Sequence, residues 1–67
     1  MIPYKGYKIH RVLTPLASET GEDRWDLKVY IFDNQGNPLK SCTIENIAVS
    51  REKALEIGLA EGMKMID

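Results

Sequence analysis

The chain has 67 residues, a formal net charge of −1 and one cysteine. This length suits a single small domain spanning residues 1–67, and the near-zero charge argues against the general attraction that a basic protein has for nucleic acid. A single cysteine forms no disulfide within the chain and favours a reducing, cytoplasmic setting. No apolar run approaches the ~20 residues of a membrane span.

The first predicted strand runs from Tyr7 to Thr14, a stretch rich in β-forming residues that ends before a proline. Tyr7, Ile9 and Leu13 alternate and are expected in the core. Arg11 alternates with the same residues, which would place its charge on the core face. The pattern therefore requires either a bulge or an edge strand from which the guanidinium reaches out of the core. The polar segment at 15–23 predicts an exposed loop.

The clearest strand is Trp25–Phe32, in which every second residue is apolar and is expected to face the core. A dense cluster of turn-forming residues follows at 33–38. Leu39–Ile47 then returns as a third strand. The two strands therefore predict a β-hairpin with a loop of ~4–5 residues.

The C-terminal segment predicts a helix from Arg51 to about Ile66, with Ser50 as its N-cap. Small residues recur every fourth position on one face: Ala54, Gly58 and Gly62. A glycine inside a helix costs roughly 1 kcal/mol relative to alanine, so we expect this small-residue ridge to pack closely on the sheet. Ile57 is expected on the outward side of the helix.

These elements predict an α+β fold: a three-stranded antiparallel sheet (βββα) with one C-terminal helix packed on one face. The fold resembles that of small uncharacterised bacterial domains with three strands and a C-terminal helix. The resemblance is carried by Tyr4-x-Gly6-Tyr7-x-Ile9, by the alternating strand that contains Trp25, and by Ser50-Arg51-Glu52-Lys53-Ala54-Leu55 at the start of the last helix. It covers most of the chain and implies the fold without implying an activity.

The same layout is similar to the DNA-binding domains of ethylene-response factors and of recombinase integrases. Those domains contact DNA with an arginine-rich sheet, whereas lysines stand on the sheet predicted here. The likeness implies DNA binding by the sheet face as an alternative function. In that alternative, Lys5 and Lys40 join the cations of the sheet face as phosphate contacts.

A single helix covers one face of such a sheet and leaves the opposite face free. The predicted registers place five candidate binding residues there: Lys8, His10, Lys28, Tyr30 and Phe32. Val12, Leu39, Ser41 and Thr43 are expected beside them. One interpretation is an ordinary half-solvated sheet whose aromatic residues pair across strands. The other is an interaction surface, since large exposed aromatic residues with basic neighbours are typical of one.

The leading hypothesis is a non-enzymatic binding module that acts through this face on a protein partner or on a second copy as a homodimer. No catalytic, metal or cofactor motif is present, so no cofactor is expected. The registers place His10 and Cys42 on opposite faces, which precludes a dyad. The turn at 33–37 lacks the glycine and glutamate spacing of a calcium loop.

Overall fold

A computed structural model describes residues 1–67 and contains four strands followed by one helix. The elements are β1 (Ile2–Tyr4), β2 (Tyr7–Pro15), β3 (Trp25–Phe32), β4 (Pro38–Ile47) and α1 (Arg51–Ile66). The strands form one antiparallel sheet in the order β1-β2-β3-β4, and α1 lies over β2 and β3. The α+β class and the C-terminal helix agree with the prediction, but the sheet has four strands and not three.

Strand β1 was not predicted from the sequence. It joins β2 through Lys5 and Gly6, whose φ angles are 48° and 84°. Two successive positive φ angles define a type I′ turn, which suits a two-residue hairpin. Tyr4 therefore lies opposite Tyr7. The signal is weak because lysine is not a usual residue of this turn and a three-residue strand is too short to show a period.

The β3–β4 hairpin closes through residues 33–37, in agreement with the predicted loop. The Asp33 carboxylate accepts hydrogen bonds from the backbone N–H groups of Gln35 and Asn37, both at 2.9 Å. The Asp33 N–H donates to the Asn37 carbonyl at 2.9 Å. The bonds from Asn37, and then those from Gln35 and Gly36, lower the pKa of Asp33 because they stabilise its charged form.

Helix α1 begins where the sequence predicted. The Ser50 hydroxyl accepts a hydrogen bond from the Lys53 N–H at 3.1 Å and so caps the first turn. The small-residue ridge of Ala54, Gly58 and Gly62 is buried against the sheet.

The ridge permits close contact between α1 and the sheet. A methyl group at Gly62 would stand 2.7 Å from Cγ2 of Ile9, and one at Gly58 would stand 3.1 Å from Cδ1 of Leu27. Both distances are shorter than the ordinary separation of packed carbon atoms. Because Gly58 and Gly62 have no side chains, α1 packs closely on β2 and β3, as predicted.

The core lies between the helix and the sheet. Its largest buried side chains are those of Ile9, Leu27, Val29 and Ile31, all at 2% exposure or less. Ile57 is half-buried and packs against this cluster, so its predicted outward position is wrong. The side chains beside the ridge are needed to cover the core, because the ridge itself contributes little apolar surface.

Strand β2 departs from the predicted core at Tyr7, which is 38% exposed. The residue stands at the first position of the strand, beside the turn, where little packs over it. Leu13 is half-buried and packs on the core as predicted.

Arg11 lies on the helix side of β2, where its parity places it. Its Nη1 donates a hydrogen bond to the Leu55 carbonyl of α1 at 3.0 Å. The β2–β3 register is regular at Arg11. Strand β1 pairs only with residues 7–9, so beyond Ile9 strand β2 forms an edge of the sheet. The edge alternative is therefore correct, and the bulge is not needed.

Candidate interaction surface

The open face is the side of the sheet that α1 does not cover. The β2–β3 register sets Lys8 opposite Phe32, His10 opposite Tyr30, and Val12 opposite Lys28. Residues that are directly opposite one another in an antiparallel pair point to the same face. The five predicted binding residues therefore lie together on this face.

Three rings form a continuous aromatic row across the open face. The centroids of His10 and Tyr30 are 6.1 Å apart, and those of Tyr30 and Phe32 are 6.3 Å apart, each pair tilted by 31°. Tilted rings at these separations attract one another. Nζ of Lys28 lies 5.5 Å from the centroid of Tyr30, which adds a cation–π contact worth about 0.5–1 kcal/mol at an exposed site. The three rings therefore contact one another without any partner.

The aromatic row is only half-buried. His10, Tyr30 and Phe32 are each intermediate in exposure, whereas Lys8 and Lys28 are exposed. The rings cover one another at their edges and leave their outer surfaces to solvent. Rings that already contact one another lose less side-chain entropy when a partner covers them than isolated side chains do.

Charge on the open face is divided along the strands. Lys8 and Lys28 accompany the aromatic row. Asp26 lies opposite Thr14 at the other end of the face, where its carboxylate accepts a hydrogen bond from the Asn46 N–H at 2.9 Å. Glu45 follows on β4, two residues beyond Thr43. The face has a basic aromatic end and an acidic end.

Two lysines predicted to contact phosphate do not belong to the open face. Lys40 lies opposite Ile31 on the helix side, and its Nζ donates to the Met65 carbonyl at 3.2 Å. Lys5 stands in the β1–β2 turn, with its Nζ 2.7 Å from Oδ1 of Asp67. This hydrogen bond is the main reason why the pKa of Asp67 is lowered.

Leu39 occupies an irregular position that the alternating pattern did not predict. Ile31 pairs with Lys40 while Phe32 pairs with Pro38, so Leu39 is the extra residue of a β-bulge. It is 50% exposed at the sheet margin and does not lie in the regular row of the open face.

Two concavities adjoin Leu39 on opposite sides. A cavity of about 110 Å³ lies at the C-terminal end of α1, lined by Tyr7, Ile31, Leu39, Lys40, Met65 and Ile66. A shallower depression of about 290 Å³ is lined by Tyr30, Pro38, Leu39, Lys40 and Ser41. The depression touches the aromatic row at Tyr30, so it extends the open face towards β4.

The side chains with chemical reactivity are separated in the fold. Cys42 lies opposite Val29 on the helix side, whereas His10 lies on the open face, as predicted. Burial, with a further contribution from Glu61, raises the pKa of the Cys42 thiol and disfavours the reactive thiolate.

No group of three or more His, Cys, Asp or Glu side chains is arranged to hold a metal ion. The single helix is too short and too polar to cross a lipid bilayer.

No protein-family model matches this sequence, and neither the curated proteins nor the solved structures yield a match to it. The resemblances to small bacterial domains and to sheet-type DNA-binding domains stay predictions. The geometry and charge of the open face are therefore the basis for inferring a function.

Proposed function

We propose that this protein is a non-enzymatic binding module that recognises a partner protein through the open face. The observation that carries the proposal is the aromatic row of His10, Tyr30 and Phe32, with Lys28 over the central ring. Aromatic residues are enriched at protein interfaces because they bury a large area with few rotatable bonds.

The chemistry of the open face defines the partner. Apolar or aromatic side chains are needed to cover Tyr30 and Phe32. Acidic groups are needed next to Lys8 and Lys28, which flank those rings. Because the open face is a single sheet surface with one shallow depression, a flat or slightly convex partner surface fits it better than an inserted side chain.

The test compares variants that alter the two sides of the sheet. The first carries Tyr30→Ser and Phe32→Ser. Its matched control carries Tyr7→Ser, which removes an exposed tyrosine on the helix side. Each immobilised protein is incubated with lysate from its own source, and retained proteins are quantified by mass spectrometry.

We expect a protein that wild type and the Tyr7 variant retain but the double variant loses. The purified partner is then titrated into isotope-labelled protein and followed by NMR. The amide signals of the labelled protein that shift should concentrate on β2 and β3. Retention of the same proteins by all three baits, or shifts confined to α1, would contradict the proposal.

Nucleic acid is the alternative ligand of the same face, since bases stack on exposed rings and Lys8 and Lys28 contact phosphates. Asp26 and Glu45 on this face, and the engagement of Lys5 and Lys40 elsewhere, make it the weaker candidate. Fluorescence anisotropy with single- and double-stranded DNA and with RNA separates the two functions. Phosphate contacts give an affinity for nucleic acid that falls steeply with added salt. Absence of binding at low salt would rule out nucleic acid as the ligand.

A further inference from the structure

The two edges of the sheet differ in how well they resist pairing with another strand. Strand β1 has three residues, and Pro3 at its centre lacks a backbone donor. Past residue 9, β2 is also free, but Pro15 ends that stretch. Strand β4 has ten residues and no neighbour on its outer side. A free strand of this length is a template for pairing with another chain.

The hydrogen-bond pattern shows which residues of β4 face outward. In an antiparallel ladder, bonded and non-bonded pairs alternate. The Leu16 N–H donates to the Arg24 carbonyl at 3.0 Å, one step beyond the last pair of the β2–β3 register. Leu16 and Arg24 therefore form a hydrogen-bonded pair, and by alternation the backbone groups of the even-numbered residues of β3 bond to β2. The backbone groups of the odd-numbered residues of β3 bond to β4. The bond from Asp33 N–H to the Asn37 carbonyl agrees with this phase.

The odd-numbered residues of β3 have Lys40, Cys42 and Ile44 as their partners on β4. The backbone groups of those three residues are used within the sheet. Ser41 and Thr43 consequently direct their N–H and C=O groups outward, where the chain offers no partner.

We propose that two copies of this chain associate through β4, antiparallel, around a two-fold axis at Thr43. Thr43 then pairs with Thr43 of the second copy, and Ser41 pairs with Glu45 of the second copy on either side of the axis. Three such pairs contribute about six backbone hydrogen bonds. Because the proposal concerns an edge and not a face, it goes beyond the function proposed above.

Charge and polarity support a second copy as the occupant. Within this register threonine faces threonine, serine faces a carboxylate that its hydroxyl can donate to, and Cys42 faces Ile44 on the helix side. Such cross-strand pairs are favourable, and no like charges face one another. The acidic Glu45 of one copy also falls in the cross-strand row that contains Ser41, Tyr30 and His10 of the other. The acidic end of one open face thus adjoins the basic end of the next.

The bulges at either end of β4 select the register. The pairing with β3 is regular only between Lys40 and Ile44, with irregularities on both sides. A two-fold axis at Cys42 would set Leu39, the bulged residue, opposite Glu45. That arrangement loses about two of the six backbone hydrogen bonds. The axis at Thr43 leaves the bulged Leu39 out of the pairing and uses Ser41, Thr43 and Glu45, of which only Glu45 lies beyond the regular stretch.

The resulting dimer has one continuous sheet of eight strands, with both helices on one side and two aromatic rows on the other. The first test is the molar mass of the full-length protein by sedimentation over concentrations up to about 1 mM. Thr43→Pro removes an outward N–H and leaves the bonds between β3 and β4 intact. Thr43→Val keeps that N–H and is the matched control.

We expect wild type and Thr43→Val to dimerise with rising concentration, and Thr43→Pro to remain monomeric with an unchanged far-ultraviolet circular dichroism spectrum. A wild type that is monomeric throughout, or a folded Thr43→Pro protein that dimerises like wild type, overturns the proposal.

A distance measurement decides the matter even if Thr43→Pro does not fold. Single spin labels are placed at residue 43 or residue 12 in a Cys42→Ser background. The edge dimer separates the two backbones by about 5.5 Å at residue 43 and, across five strand spacings, by about 24 Å at residue 12. Stacking of two open faces brings both sites to about 10 Å or slightly more. A residue-12 pair no farther apart than the residue-43 pair overturns the edge dimer and indicates face-to-face association instead.

Discussion

The helix side and the open face of the sheet are built from alternate residues of the same strands, yet they differ in burial. On the helix side, branched aliphatic residues such as Leu27 and Val29 are completely buried. On the open face, their immediate neighbours Lys28 and Tyr30 remain accessible. Along β3, residues of the core and residues of the proposed interaction surface therefore alternate at single-residue steps. Changes on one side should therefore leave the other side intact.

The largest expected effect is on the helix side. Leu27→Ala should lower the free energy of unfolding by about 3 kcal/mol, because it opens a cavity where the side chain has no solvent exposure. Tyr30→Ser on the open face should cost less, about 1–2 kcal/mol, because it removes ring and cation–π contacts but opens no buried cavity. Urea denaturation of both variants measures the contrast. A Tyr30 variant as unstable as the Leu27 variant would mean that the open face is part of the core.

The small-residue ridge offers a sharper comparison within the helix side. In Gly62→Ala the new methyl group meets Cγ2 of Ile9 at 2.7 Å. This atom belongs to a buried β-branched side chain, which has little rotational freedom. In Gly58→Ala it meets Cδ1 of Leu27 at 3.1 Å and the flexible stem of Arg11 at 3.2 Å.

We expect a net loss of about 1–2 kcal/mol for Gly62→Ala and a change within about 0.5 kcal/mol for Gly58→Ala. Overpacking outweighs the gain in helix propensity at the first site and balances it at the second. Thermal denaturation provides the measurement. Equal melting temperatures for the two variants would show that Ile9 yields as easily as Arg11 does.

The hydrogen bond between Arg11 and the helix gives a smaller effect. Arg11→Met keeps an apolar stem next to Gly58 but removes the donor to the Leu55 carbonyl. The expected loss is about 1 kcal/mol. Lys28→Met on the open face is the matched control, and it should lose less. If both changes cost the same in urea denaturation, the contact across the core does not stabilise the fold.

The smallest effect is the pH dependence of the β3–β4 turn. Hydrogen bonds from Asn37 lower the pKa of Asp33 in the folded state, so the charged carboxylate stabilises that state. This contribution is fully present above the unfolded-state pKa and is lost as the pH falls through the folded-state pKa, below about pH 4. Asp33→Asn should flatten this part of the stability curve. A wild-type curve and a variant curve with the same slope would refute the assignment.

Much of the fold followed from local patterns. The alternation in β3, the turn cluster at 33–37 and the Ser50 cap each depend on residues close together in the chain. The five candidate binding residues were placed on one face because strand parity alone determines it. Lys40 follows the same rule, because it shares the parity of Cys42 and Ile44 and lies with them on the helix side. The position of Lys5 depends instead on its contact with Asp67 far along the chain.

By itself, the sequence determined the strand and helix periods, the ridge of small residues and the two-sided character of the sheet, because each arises from side-chain volume and backbone preference over a few residues. Only the tertiary structure decided that β1 joins the sheet, that Leu39 bulges out of it, and that Ile57 packs inward. Those outcomes depend on hydrogen bonds and packing between segments that are distant in sequence, and their free energies appear only when the helix and the strands are in place.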